Sequence, residues 1–200
     1  MWNERYDRPD YLFGKEPSQF LKTHADHLTP GDTALSVADG EGRNAVFLAE
    51  SGLRVTAFDH APNALEKARV LAGEHGVTVD FRQSDITQWD WDAVQYDVVV
   101  AIFIQFAGPD LRDAIFEGMQ RALKPGGLLL LHGYAPRQVE YGTGGPPYRE
   151  NMYTLPMLQK TFAGLDILHS ADYDAELDEG EGHSGPSALI DLIARKPTEG

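Results

Sequence analysis

The sequence predicts an α/β protein: a doubly wound, mostly parallel, seven-stranded sheet closed by an antiparallel C-terminal hairpin. Three observations carry this expectation. Short apolar runs alternate with helix-periodic stretches from residue 34 to residue 134, and such β-α alternation builds parallel sheets through right-handed crossovers. A glycine-rich bend, Asp39-Gly40-Glu41-Gly42, separates the first apolar run from the first helix of that series. The last two strand-like segments, 165–174 and 187–195, are joined by a loop rather than a helix, so they pair antiparallel.

Each element has its own signal. Residues 1–16 are polar and aromatic (Trp2, Tyr6, Tyr11, Phe13) without a clear period and end near Gly14. Two readings of this arm stay open: aromatics docked on the core, or a lid over a ligand. Pro17 to Leu28 reads as a helix, with proline tolerated in its first turn. His24 and His27 on it have no third ligand nearby and read as a solvated face. The first strand, about 34–38, precedes a helix over 43–51 that stops at Gly52. A strand at 54–58 leads to a helix from Pro62 to about Glu74, and a third strand spans 77–82. The continuous apolar run Tyr96–Ile102 reads as a central strand buried on both faces. Leu111, Ile115 and Met119 set a helix over 110–123, which Lys124-Pro125-Gly126-Gly127 ends as a turn before a strand at 128–134. Residues 135–150, rich in Pro, Gly and Tyr, read as one functional loop, followed by a helix at 154–162. The acidic run from Asp172 to Glu181 reads as a solvated loop flanked by strand faces.

Composition bounds the function. The chain has 200 residues, enough for one domain with a sizeable core, and residues 1–200 read as a single domain. It contains no cysteine, which excludes disulfides, thiolate metal sites and a cysteine nucleophile. The charged N-terminus lacks the apolar core of a signal peptide, and no apolar run approaches the roughly 20 residues of a membrane span. A cytoplasmic protein without a membrane partner is expected. The net charge of −14 shows no basic footprint for nucleic acid. Monomer and homodimer are both compatible with the sequence.

The chemistry starts at the bend. A glycine bend entering a helix, followed 19 residues after Gly40 by Asp59 at a strand end, marks a nucleoside-cofactor site. The glycines let the backbone approach the ligand, and the acid accepts from both ribose hydroxyls. Gly40-Glu41-Gly42-Arg43-Asn44-Ala45 also fits the dinucleotide fingerprint, so an NAD(P)-dependent oxidoreductase is the alternative. Asp59 or Asp85 alone would read as a helix or turn cap; with the bend, the two favour a ligand.

The glycine bend, the acids after the second and third strands, Lys124-Pro125-Gly126-Gly127 and the closing hairpin together resemble class I S-adenosylmethionine-dependent methyltransferases over essentially the whole chain. The arm Trp2-Asn3-Glu4-Arg5-Tyr6, the bend, Tyr141–Pro146 and Gly180–Gly185 are similar to the small bacterial tellurite-resistance-like methyltransferases. The resemblance implies S-adenosyl-L-methionine as cofactor and in-line methyl transfer to a small-molecule acceptor such as a thiol or chalcogen oxyanion; a non-catalytic binder of the cofactor is a further alternative. It implies that the backbone around Asp39, Gly40 and Gly42 faces the methionine portion, with Ala38, Glu41 and Asn44 also among the cofactor-binding residues. Asp59 would hold the ribose, with His60 beside the adenine; Ser84, Asp85 and Ile86 would meet the adenine; Ala101 and Ile102 would lead under the methyl group. Many relatives carry an acid where Ser36 stands, which leaves Asp39 or Glu41 to contact the cofactor's amino group. His183, His132 and Tyr134 are the catalytic candidates, each with an equally plain structural reading, and no general base stands out from sequence. No metal is expected.

Overall fold

The structure, a computed structural model, describes residues 1–198. Contacts group the chain into two compact units, Met1–Asp90 with Glu179–Glu181, and Trp91–Asp178 with the segment from Gly182.

The first unit holds helices α1 (Trp2–Arg5) and α2 (Gln19–Thr23), strand β1 (Thr33–Ser36), α3 (Arg43–Glu50), β2 (Arg54–Asp59), α4 (Pro62–Glu74) and β3 (Asp80–Gln83). Its strands run in the order β3-β2-β1, all parallel. The helix expected over 17–28 is split: α2 ends at Thr23 and a 3-10 turn covers Ala25–His27. Helix α4 begins with Pro62 at its first position and buries Ala64, Leu65, Ala68, Leu71 and Ala72, one stripe at helical spacing. The third strand starts later than expected, at Asp80, because α4 closes through Gly76 in a left-handed turn (φ 66°). The arm packs Tyr6 and Leu12 against Ala61 and Ala64, with Trp2 and Phe13 alongside.

The second unit holds β4 (Tyr96–Ile102), α5 (Pro109–Arg121), β5 (Leu123–Tyr134), α6 (Gln138–Tyr141), α7 (Leu155–Thr161), β6 (Asp166–Asp178) and β7 (Ser184–Arg195). Its strand order is β4-β5-β7-β6; β4 and β5 are parallel, and β7 pairs antiparallel with both β5 and β6. The expected class is therefore present: α/β, seven strands, mostly parallel, with an antiparallel C-terminal pair.

Three expectations are corrected here. Lys124-Pro125-Gly126-Gly127 lies inside β5 rather than before it; Leu123 already pairs with Tyr96, and a register shift absorbs the turn residues. A Cβ on Gly127 would stand 2.9 Å from the Lys124 carbonyl oxygen, so the bulge needs glycine there. Residues 135–150 are not a structureless loop: α6 and the start of a 3-10 turn at Arg149–Asn151 lie within them. Most of the acidic run is strand, since β6 extends to Asp178; Arg137 pairs with Asp172 at 2.5 Å and Asp174 at 2.9 Å and so neutralises part of that face. Among the described residues no helix is long and apolar enough to cross a membrane.

Candidate active site

The bend after β1 concentrates unusual backbone. Ala38 (φ 47°), Gly40 (φ 65°) and Gly42 (φ 92°) are all left-handed. Glycine accepts this conformation freely, whereas Ala38 stores strain, about 1–3 kcal/mol in such positions. The surroundings over-determine it. The Asp39 N–H donates to the Phe58 carbonyl at 3.0 Å, and the Asp59 carboxylate accepts from the N–H groups of Gly40 (3.0 Å) and Ala61 (2.9 Å). A Cβ on Gly42 would lie 2.7 Å from Ala68 Cβ, so that glycine sets the approach of α3 to α4. Sequence spacing thus brought Asp59 to Gly40 as expected.

Two buried carboxylates, Asp39 and Asp59, set the electrostatics of the bend. Asp39 Oδ1 accepts from Ser36 Oγ at 2.5 Å and from the Ala45 N–H at 3.2 Å. Asp39 Oδ2 is buried and has no hydrogen-bond partner among the described residues. Burial, reinforced by the nearby Asp59 charge, pushes the Asp39 carboxyl up to about 6. Burial also raises Asp59, against the two backbone N–H groups that pull it down. The Tyr6 hydroxyl, against Gly40, is held protonated by burial and by the charges of Asp59 and Glu41. A buried carboxylate oxygen left without a donor costs free energy unless a ligand supplies one.

The second unit gathers the three catalytic candidates around one ring. Phe103, directly after β4, takes φ 55°, an outlier for a bulky side chain, and its N–H donates to the His132 carbonyl at 2.9 Å. Its ring centroid lies 4.8 Å from His132, 4.7 Å from Tyr134 and 4.1 Å from His183. His183, expected in an open loop, is buried and forms a bridge with Gly144. The Gln138 side chain fixes this segment: its Nε2 donates to Thr143 Oγ1 (2.9 Å), its Oε1 accepts from the Ala188 N–H (2.8 Å), and Thr143 donates to the Pro186 carbonyl. Beneath Phe103, His132 Nδ1 stands 2.6 Å from Asp191 Oδ1, which also accepts from Tyr173 Oη at 3.1 Å; His169 Nε2 is 3.5 Å from Asp191 Oδ2. Burial raises the Asp191 carboxyl, but the bonds from His132, then Tyr173 and His169, outweigh it and hold it below the usual carboxylate range.

A family model described as a methyltransferase domain matches residues 34–127, the span that contains the bend, Asp59 and Asp85. Residues 34–127 are a methyltransferase domain. The chain is 36% identical over 109 residues to the ubiquinone biosynthesis O-methyltransferase of Idiomarina loihiensis, covering 54% of this chain and 44% of that protein. It thus spans under half the length of that curated relative. Among solved structures, a protein described in the conversion of a disulfide bond into a thioacetal group during echinomycin biosynthesis is similar over 97% of this chain and 86% of its own, with TM-score 0.76 and 19% identity. TehB from Haemophilus influenzae is similar over 98% of this chain and 65% of its own, with TM-score 0.72 and 18% identity. These likenesses show the fold, and the resemblance read from the sequence to class I methyltransferases is borne out.

Within the methyltransferase domain the structure separates the two acids that sequence left open. Glu41 is buried and already committed to Lys67 Nζ at 2.9 Å and the Phe13 N–H at 3.4 Å, whereas Asp39 Oδ2 has no hydrogen-bond partner among the described residues. Asn44 is also committed: its Oδ1 accepts from the Ser18 N–H at 2.9 Å. Ser84 adjoins Asp59 through its N–H to the Asp59 carbonyl (3.0 Å), and His60 is exposed beside it. Asp85 Oδ1 caps a turn through Thr87 N (2.8 Å) and Oγ1 (2.6 Å); those bonds hold its carboxyl low. Ile86 is buried next to it. Ala101 and Ile102 end β4 in the second unit, where Phe103 follows. Sequence reasoning missed Asp191. It is a lone acid in the apolar run Leu189-Ile190-Asp191-Leu192-Ile193, as His132 is a lone histidine after four leucines. Buried polar groups need partners, and that pair of interruptions was the available signal.

Proposed function

We propose that the protein is an S-adenosyl-L-methionine-dependent methyltransferase acting by in-line transfer on a small-molecule acceptor, with a thiol or chalcogen oxyanion as the favoured class. The observation that carries this reading is the unpartnered buried oxygen of Asp39 beside the Gly40–Asp59 contact. An α-ammonium group fits the first and a ribose diol fits the second. The methyltransferase domain match supports the choice of cofactor. When bound, the cofactor supplies an activated sulfonium methyl, so the chain's task is to hold donor and acceptor in line, an arrangement that can contribute roughly 7–11 kcal/mol. Asp39 binds the amino group, Asp59 orients the ribose, Asp85 Oδ2 accepts from the adenine amine, and Ile86 packs the ring. The arm, with Tyr6 over Gly40, serves as a lid on the bend. The sulfur chemistry described for one structural relative supports a soft acceptor.

Two measurements follow. Tritium transfer from labelled cofactor to a panel of thiols, selenite and tellurite, and small amines should label a thiol or an oxyanion; no transfer to any of them would favour a non-catalytic binder. Affinity for S-adenosylhomocysteine should depend on pH through Asp39. Its carboxyl titrates near 6 in the free protein, and only the carboxylate accepts from the ligand's ammonium. Calorimetry should therefore show constant affinity above about pH 7 and a fall approaching about tenfold per unit below about pH 6. Asp39→Asn should weaken binding and flatten that dependence.

A further inference from the structure

We infer that residues Trp2–Phe13 form a strap that must lift from the glycine bend for the cofactor to enter and its product to leave, and that Asn3 and the Glu41–Lys67 pair are its two fastenings. The inference rests on the cofactor reading above and adds the step that controls exchange at that site. Tyr6, only 5% exposed, sits on Gly40, where a Cβ would stand 3.0 Å from its hydroxyl. Gly40 is the residue whose N–H donates to Asp59. The same hydroxyl faces the charges of Asp59, Glu41 and Asp39. The strap therefore lies across the groups assigned to the ligand's ammonium and ribose.

The fastenings flank the two carboxylates. Helix α4 has no side-chain cap of its own at Ala61. Asn3 supplies one from the strap: its Oδ1 accepts from the Asn63 N–H at 2.9 Å, and the Asn63 side chain donates back to the Asn3 carbonyl at 3.0 Å, a reciprocal arrangement like a capping box. Asn63 follows Asp59 in the first turn of α4. The other fastening starts at Glu41, just past Asp39. Lys67 Nζ donates to Glu41 Oε1 (2.9 Å) and to the Asp10 carbonyl (2.7 Å), the Tyr11 hydroxyl donates to the Lys67 carbonyl (3.0 Å), and Glu41 Oε2 accepts from the Phe13 N–H (3.4 Å). The Glu41 and Lys67 side chains are 2% and 15% exposed, so water competes little for this pair. Gly14 then takes φ 71° and packs so closely on Gly180 that a Cβ there has no room, which makes Gly14 the hinge. Asn3 and Glu41 bond to protein groups alone and act as positioning residues. Such a strap holds the empty and the loaded site shut alike. Loosening it raises the association and dissociation rates by the same factor and leaves their ratio, Kd, unchanged.

The test is stopped-flow mixing of S-adenosylhomocysteine with wild type, Asn3→Ala and Glu41→Gln, followed by tryptophan fluorescence. Trp2, stacked on Tyr6 with ring centroids 6.0 Å apart, reports from the strap itself. The slope of the observed rate against ligand concentration gives association, and the intercept gives dissociation. Expected in each variant is a rise of slope and intercept together, by about tenfold to a hundredfold, the range that loss of two neutral hydrogen bonds or of one to a charged group spans, with Kd unchanged. A rise of the intercept alone would make the residue a ligand contact and overturn the inference. Wild-type rates in both variants would mean a fixed arm outside the ligand's path, and would overturn it as well; either result leaves the cofactor reading standing. A wild-type chain that binds no S-adenosylhomocysteine would overturn that reading and this inference with it. Should one variant fail to fold, the other carries the same comparison.

Discussion

Asp59→Asn should lose at least about a hundredfold in affinity for S-adenosylhomocysteine while its Tm stays within a few degrees of wild type. The two expectations come from one carboxylate. Hydrogen bonds to charged groups are worth about 1.5–3 kcal/mol each, and two ribose hydroxyls donating to Asp59 make about 3 kcal/mol or more. The same carboxylate does not strengthen the free protein in proportion. Its pKa is raised by burial, and a carboxyl whose folded pKa lies above its unfolded value contributes most when protonated and progressively less as pH rises through that folded pKa. At neutral pH its charge is therefore a cost to folding, offset by the Gly40 and Ala61 N–H bonds. Asparagine removes the charge and keeps one acceptor oxygen, so the losses and gains in stability nearly cancel. Calorimetry with S-adenosylhomocysteine and a thermal melt on the same sample check both halves. A residue that merely capped the β2–α4 turn would show the reverse: a lower Tm and an unchanged affinity.

Glu179→Ala should be the most destabilising single substitution of a charge in the first unit, by about 3–5 kcal/mol. Arg43 and Glu179 form an ion pair at 2.9 Å with side chains only 6% and 7% exposed. Glu179 Oε1 also accepts from the Gln19 N–H at 2.8 Å, and Arg43 donates to the Glu16 carbonyl at 3.3 Å. Removing one partner of a buried pair leaves the other charge uncompensated, which is what makes the loss large. At about 2–4 °C per kcal/mol for a chain of this size, Tm should fall by roughly 6–20 °C. Glu179→Gln keeps the hydrogen-bonding capacity without the charge and should fall between wild type and alanine. An alanine variant melting within about 2 °C of wild type would show that the pair contributes little.

Much of the fold was legible because its signals are local. Helix α4 and strand β4 occupy the expected residues, since a proline start with an apolar stripe, and an unbroken apolar run, each specify an element unaided. The errors have a common cause in tertiary pairing. The acidic stretch 172–178 reads as loop by composition, yet it pairs along β7, with Arg137 covering part of its charge. Gly127 reads as a turn residue because its role depends on the carbonyls of Tyr96 and Asp97, about thirty residues away. The site divides in the same way. The spacing that puts Asp59 at the end of the second strand is local, and the structure places its carboxylate against the Gly40 N–H. The difference between Asp39 and Glu41 is not local, because Glu41's partners come from Lys67 and Phe13. The His132–Asp191 pair joins strands through a register that sequence does not state, although both residues interrupt apolar runs.

The central claim is that this glycine bend holds S-adenosylmethionine rather than a dinucleotide, and parallel calorimetric titrations of the wild-type chain with S-adenosylhomocysteine and NAD test it most directly. The account predicts saturable one-site binding of S-adenosylhomocysteine, weakened at least about a hundredfold by Asp59→Asn, and no binding of NAD. Saturable binding of NAD with none of S-adenosylhomocysteine would contradict it.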